Sequence, residues 1–234
     1  MRYIARMSTA AGADVVKGRW VVVVLLGGRF ERALVVDRLR DLGSRLGGPD
    51  LLALDIPIGL PSDGTGWPRP TDLAARVFVG PRRSSVFLAP PRPVYDEASY
   101  GAANALHHRL TGKGLSRQTW ALGSKILEAE HFITDHPNTI EAHPEVCLRA
   151  MKGASLDFAK KTWNGQMERR DLLAAQGIEL PARLDGPAGS VPPDDLLDAA
   201  AAAWTAWRCA SDQADVLSES DSEPSIGERG VIWY

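Results

Sequence analysis

The run LLALDIPIGLP at residues 51–61 constrains the fold more than any other stretch of this chain. It is continuously apolar except for one carboxylate, and Pro57 and Gly59 end it. That is the pattern of a central strand buried on both faces of a sheet, which implies an α/β architecture with helices covering the sheet. The same run delivers Asp55 to the carboxyl end of the strand. An unpaired ionised carboxylate in such a place is costly, so Asp55 needs a cation, hydrogen bonds or a proton.

The flanking patterns supply the rest of a mixed sheet with its helices. RWVVVVLLGGRFERALVV reads as two antiparallel strands joined at Gly27-Gly28, a pair suited to the positive φ of a tight hairpin. Helical spacing from about Val35 to Leu46 stops at Gly47-Gly48-Pro49. Residues 61–93 are rich in Pro, Gly and Arg, with one short helix from Asp72 to Phe78. Helical patterns follow over Tyr95–Leu110 and Ser116–Phe132, and Thr139–Ala142 reads as a short strand that carries Glu141. Pro144 opens a helix to about Met151, an amphipathic helix spans Phe158–Gln176, and DLLDAAAAAWTAWRCA forms the last helix with Asp194 as its N-cap. The stretch ARMSTAAGA, where a first strand is expected, is small and polar for a buried strand. Either it packs poorly or this end of the chain has diverged.

At 234 residues this pattern fits one domain over 1–210, with a basic loop and helix insertion at about 61–135 and an acidic, mobile segment over 211–234. No apolar run approaches the roughly 20 residues needed to span a bilayer, and MRYIARMSTA lacks the layout of a secretory signal, so a cytoplasmic protein without a membrane partner is expected. Cys147 and Cys209 are too few for a disulfide framework or a zinc knuckle and read as reduced packing residues. The formal charge is −2, but residues 64–125 hold nine basic side chains against three acidic ones. That surplus is either an ordinary solvated face or a surface that tracks phosphates.

Further acids could join Asp55. Asp14 precedes the first hairpin strand, and Asp195 and Asp198 stand three apart on one face at the start of the last helix. Singly, each has a plain explanation as a turn residue, strand-end cap or helix-dipole partner. In order along the chain they make a candidate metal site, and with no His/Cys cluster competing, hard oxygen ligands favour Mg²⁺ or Mn²⁺. His143, two residues beyond Glu141, is a candidate proton carrier or a turn cap. Arg76, Arg82, Arg92, Lys125, Lys160 and Lys161 are candidate phosphate contacts. Trp67, Trp120 and Trp163 are candidates for base stacking, whereas Trp20, Trp204 and Trp207 fall on core-facing elements.

Several ordered blocks carry a family resemblance: GADVVKGRW at 12–20, ALDIPIGLP at 53–61, the T-D-x-x-A-R-x-x-x-G pattern of 71–80, SSVFLAPPR at 84–92, GLSRQTWAL at 114–122, EAHPEV at 141–146, KKTWNGQMERR at 160–170 and PDDLLDAAAAAWTA at 193–206. With these the chain resembles the ribonuclease H-like superfamily and, within it, domain of unknown function 429, described as predicted nucleases related to Holliday-junction resolvases. The resemblance implies a ribonuclease H-like mixed sheet flanked by helices. It also implies that an acid on the first strand, one on the fourth and those on the last helix hold two Mg²⁺ or Mn²⁺ ions. The matching positions are Asp14, Asp55, Asp195 and Asp198, with Glu141 as a fifth acid that ligates metal or orients water. The implied activity is hydrolysis of nucleic-acid phosphodiester bonds, DNA or RNA, one ion activating water and the other stabilising the leaving oxygen.

Two other classes compete. A kinase or ATPase of the related actin-like fold would need Gly-rich phosphate hairpins, of which Gly27-Gly28 is the one candidate, and no G-x-x-x-x-G-K-[ST] loop is present. A non-catalytic nucleic-acid-binding module would gain nothing from acids facing phosphates.

Overall fold

In the computed structural model, which describes residues 8–46, 48–218 and 223–234, an antiparallel meander opens the chain. Its strands are β1 (Thr9–Val16), β2 (Arg19–Leu26) and β3 (Arg29–Val36). The short helix α1 (Leu42–Leu46) leads to β4 (Leu51–Leu54), and a long connection carries α2 (Pro70–Val79), α3 (Tyr100–Thr111), α4 (Arg117–Ala121) and α5 (Gly123–Asp135). Then come β5 (Thr139–Ala142), α6 (Pro144–Lys152), α7 (Trp163–Ala175), α8 (Pro193–Ala210), β6 (Val216–Leu217) and β7 (Ile232–Trp233). The sheet order is β3-β2-β1-β4-β5-β7-β6, with β1, β4, β5 and β7 parallel. The expected α/β class with a mixed, helix-flanked sheet is therefore present.

β1 explains its own composition. Alternation sends Ala10, Gly12, Asp14 and Val16 toward α8 and Ala11 and Ala13 toward the other face. A Cβ at Gly12 would lie 2.0 Å from the Ala203 backbone nitrogen and 2.3 Å from the Ala199 carbonyl oxygen. Helix and strand thus meet backbone to backbone. The small residues of this strand are not poor packing; they let α8 sit close, and Ala199–Ala203 are fully buried against the sheet. Residues 5–7 of the expected strand lie outside the described residues.

Several boundaries differ from the sequence reading. The pattern from Val35 to Leu46 is not one helix: β3 continues to Val36, because its residues pair with Trp20 and Val21 of β2, and only the last turns are helical. The expected helix over Tyr95–Leu110 starts at Tyr100, where Ser99 accepts the Ala102 N–H as N-cap. The one over Phe158–Gln176 starts at Trp163, capped by Thr162. The pattern from Ser116 is two helices that meet at Leu122. In α8 the N-cap is Pro192 and Pro193 takes the first helical position, so Asp194 lies inside the first turn. The segment after 210 was expected to be mobile; residues 219–222 lie outside the described residues, but β7 joins the sheet beside β5 and buries Ile232 and Trp233.

Cys147 and Cys209 are free and buried, as expected. Among the described residues, no helix is long and apolar enough to cross a membrane.

Candidate metal centre

The parallel strands β1, β4 and β5 end at one edge of the sheet, the edge at which α/β sheets generally bind ligands. Asp14 stands two residues from the end of β1, Asp55 directly follows β4, and α8 lays its first turns across both. Asp198 points down from α8. Among the described residues, Asp14, Asp55 and Asp198 form a group whose ligand oxygens all lie within 4.8 Å of one another, a group that could hold a metal ion. They line a cleft of about 210 Å³ together with Asp195, Glu141, His143, Lys160, Arg69, Asp72, Gln118 and Phe87.

These carboxylates are held above their ordinary range. Burial is the largest cause for Asp14, followed by repulsion from Asp55, Asp198 and Asp195, with Lys160 opposing. Asp55 is raised by burial and by Asp198, again with Lys160 opposing. Asp198 is raised to about 6 by burial, although Lys160 donates to its Oδ2 at 2.6 Å. Its Oδ1 is buried without a hydrogen-bond partner among the described residues. The group therefore carries more negative charge than its surroundings neutralise, which is the condition a divalent cation relieves. Asp195 is partly exposed at the rim and is raised by burial and by Asp194, with Lys160, Lys161 and Lys17 pulling it down.

Glu141 lines the same cleft but belongs to a different structure. Ile140 and Ala142 face α8, so Glu141 points to the opposite side of the sheet. There Arg69 donates to its Oε1 at 2.7 Å and to its Oε2 at 2.9 Å, and the Ile58 N–H donates to Oε2 at 2.7 Å. Asp72 takes the other side of the guanidinium, at 3.0 Å from Nε and 2.5 Å from Nη2, and accepts the Ala89 N–H at 2.8 Å. Both Glu141 oxygens are thus already engaged. Sequence reasoning missed Arg69 and Asp72; the Arg-x-x-Asp spacing of a helix start was visible, but the third member lies 72 residues away from Arg69.

His143 also lines the cleft, and burial lowers it to about 4, so it is neutral at physiological pH. Its Nδ1 is buried without a hydrogen-bond partner among the described residues. Of the candidate phosphate contacts, Lys160 reaches the acids and Lys161 is exposed nearby. The other four do not line this cleft. Arg76 Nε donates to the Val86 carbonyl at 2.8 Å, and Arg82 Nε to that of Leu156 at 3.4 Å. Arg92 pairs with Asp96 at 2.6 Å, and Lys125 is buried over Trp20, donating to the Asp37 carbonyl and to Glu128. Much of the local basic surplus is therefore spent inside the fold. Trp120 stacks on Tyr95 and Trp67 meets His107 edge-on, leaving Trp163, at 73% exposure, as the open one of the three candidates.

The Gly27-Gly28 turn does form a tight hairpin, with φ of 57° and 76°. It sits at the far end of the sheet, however. Asp14 pairs with Val21, five positions along β2 from Leu26, which is roughly 17 Å at strand rise. The turn beside the acids is Lys17-Gly18.

No curated protein and no solved structure matches the chain. A family model described as "Protein of unknown function (DUF429)" matches residues 12–223, nearly the whole chain, and the protein belongs to that family.

Proposed function

We propose that this protein is a Mg²⁺- or Mn²⁺-dependent hydrolase of nucleic-acid phosphodiester bonds on a ribonuclease H-like fold. One observation carries the reading. Three carboxylates from β1, the end of β4 and α8 converge within 4.8 Å, and one of their oxygens, Asp198 Oδ1, has no hydrogen-bond partner among the described residues. These are the elements that the ribonuclease H-like resemblance assigns to metal ligation. A fold gains nothing by burying such a group unless a cation completes it. The donor set is all oxygen, which suits a hard divalent ion.

Asp14, Asp55 and Asp198 would hold the ion and Asp195 would complete its surroundings at the rim. Bound there, the ion would polarise a phosphodiester and lower the pKa of an attacking water. The remaining residues act around it. Lys160, partly exposed, pairs with Asp198 and brings positive charge to the cleft mouth. His143, neutral and half-buried, is able to accept a proton from a water in the cleft. Trp163 and Lys161, exposed at the start of α7, give a nucleic-acid strand a stacking face and a charge on its way in.

The test is cleavage of labelled single-stranded, duplex and branched DNA and RNA with Mn²⁺ or Mg²⁺, with EDTA and Asp14→Asn as controls. The expected result is metal-dependent cutting that the variant loses. Binding of Mn²⁺ without cleavage of any of these substrates contradicts the nuclease reading and leaves the metal centre in place.

A further inference from the structure

The two oxygens of Asp198 are treated differently. Oδ2 accepts from the Lys160 ammonium at 2.6 Å, whereas Oδ1 has no partner among the described residues although the Asp198 side chain is 2% exposed. Lys160 is also not a loosely attached surface lysine. Its segment, between α6 and α7, is moored on both sides. Upstream, the N–H groups of Asp157 and Phe158 donate to Glu168 at 3.0 and 3.1 Å, and Lys152 reaches Asp157 at 2.8 Å. Downstream, Thr162 Oγ1 donates to the Ala159 carbonyl at 2.7 Å and caps α7. Beneath, the fully buried Arg169 pairs with Glu145 and donates to the Phe158 carbonyl at 3.2 Å. The backbone on either side of Lys160 is therefore fixed, and the ammonium is held over the acids by construction.

We propose that Lys160 is a resident cation of this centre: its ammonium fills one cation position against Asp198, and Asp14, Asp55 and Asp198 take a single divalent ion beside it, not the pair that the family resemblance implies. The inference rests on the reading of the cleft as a metal centre. Three carboxylates, one ammonium and one divalent ion are mutually neutral. A second divalent ion beside the ammonium would leave the buried group positive, with the same desolvation cost that burying excess negative charge carries. The division of Asp198 follows: Oδ2 serves the lysine and Oδ1 serves the metal. Lys160 is thus a positioning residue for the ion.

The experiment is a Mn²⁺ titration by calorimetry and equilibrium dialysis on the wild type, Lys160→Met, Lys160→Arg and Asp14→Asn, each checked for folding by circular dichroism. The wild type and Lys160→Arg are expected to bind about one ion per chain and Lys160→Met about two, because the vacated position then opens to metal. Asp14→Asn is expected to bind at least tenfold more weakly. Two ions in the wild type, or one in Lys160→Met, overturns the resident-cation assignment while leaving the metal centre standing. No Mn²⁺ bound by the folded wild type overturns the metal centre itself, and the inference with it.

Discussion

Two acidic groups share one cleft and differ in how they are balanced. Glu141 and Asp72 flank the buried Arg69, and all four of their oxygens accept hydrogen bonds from the guanidinium or from backbone N–H groups. Among the described residues, Asp14, Asp55 and Asp198 have one partly exposed lysine, Lys160, and the Val15 N–H on Asp14 as hydrogen-bond donors, and Asp198 Oδ1 has no partner. The first group is complete as it stands, and its geometry fixes the long β4–β5 connection to the sheet. The second is incomplete without a cation. Proximity to a cleft does not separate a binding acid from a structural one; the state of its hydrogen-bond partners does.

The sharpest way to break this contrast is Arg69→Met. Two buried carboxylates then lose their shared cation, and the unfolding free energy from urea denaturation is expected to fall by about 3–5 kcal/mol. An unchanged midpoint would mean that the Arg69 network is not the structural half of the cleft. Next in size is Asp14→Asn, which should weaken Mn²⁺ binding by about 10–100-fold or more in calorimetric titration, since even outer partners of metal ligands matter that much. The same variant should leave the metal-free fold intact or raise its melting temperature, because it removes one of the repelling charges.

A third effect is pH dependence. Acids whose folded pKa is raised add stability below their unfolded pKa and lose it as pH rises through the folded value, which for Asp198 is about 6. His143, lowered to about 4, works in the opposite sense, so the informative quantity is a difference between variants. Metal-free wild type is expected to lose roughly 1 kcal/mol relative to Asp14→Asn as pH rises from about 4 through about 6, with Mn²⁺ abolishing the loss. Parallel pH profiles would remove the electrostatic argument for the site. The smallest effect is expected for Glu141→Gln, whose Mn²⁺ affinity should stay within about twofold of the wild type, less than about 0.5 kcal/mol. A tenfold loss there would move Glu141 into the metal centre.

Much of the centre was legible in the sequence because its acids break local rules. Asp55 interrupts an apolar strand, and Asp195 and Asp198 share a helix face beside an alanine run. What stayed hidden depends on partners distant in sequence. Glu141 looked equivalent to Asp55, a strand-end acid on a parallel neighbour, until alternation along β5 turned it to the other face and Arg69 closed on it. Lys125 read as a phosphate contact because composition does not reveal that its ammonium lies against Glu128 and Trp20. The small residues of β1 made sense only once the alanines of α8 were packed against them. The closing VIWY was visible as an apolar end, but nothing local indicated that Ile232 pairs with Glu141 at the sheet.

The most direct test of the contrast is a crystal of the protein grown with Mn²⁺ and measured at the manganese absorption edge. Anomalous density among Asp14, Asp55 and Asp198, with Glu141 still bound to Arg69, is the predicted result. Density against Glu141 and Asp72, or none at either group at saturating Mn²⁺, would contradict it.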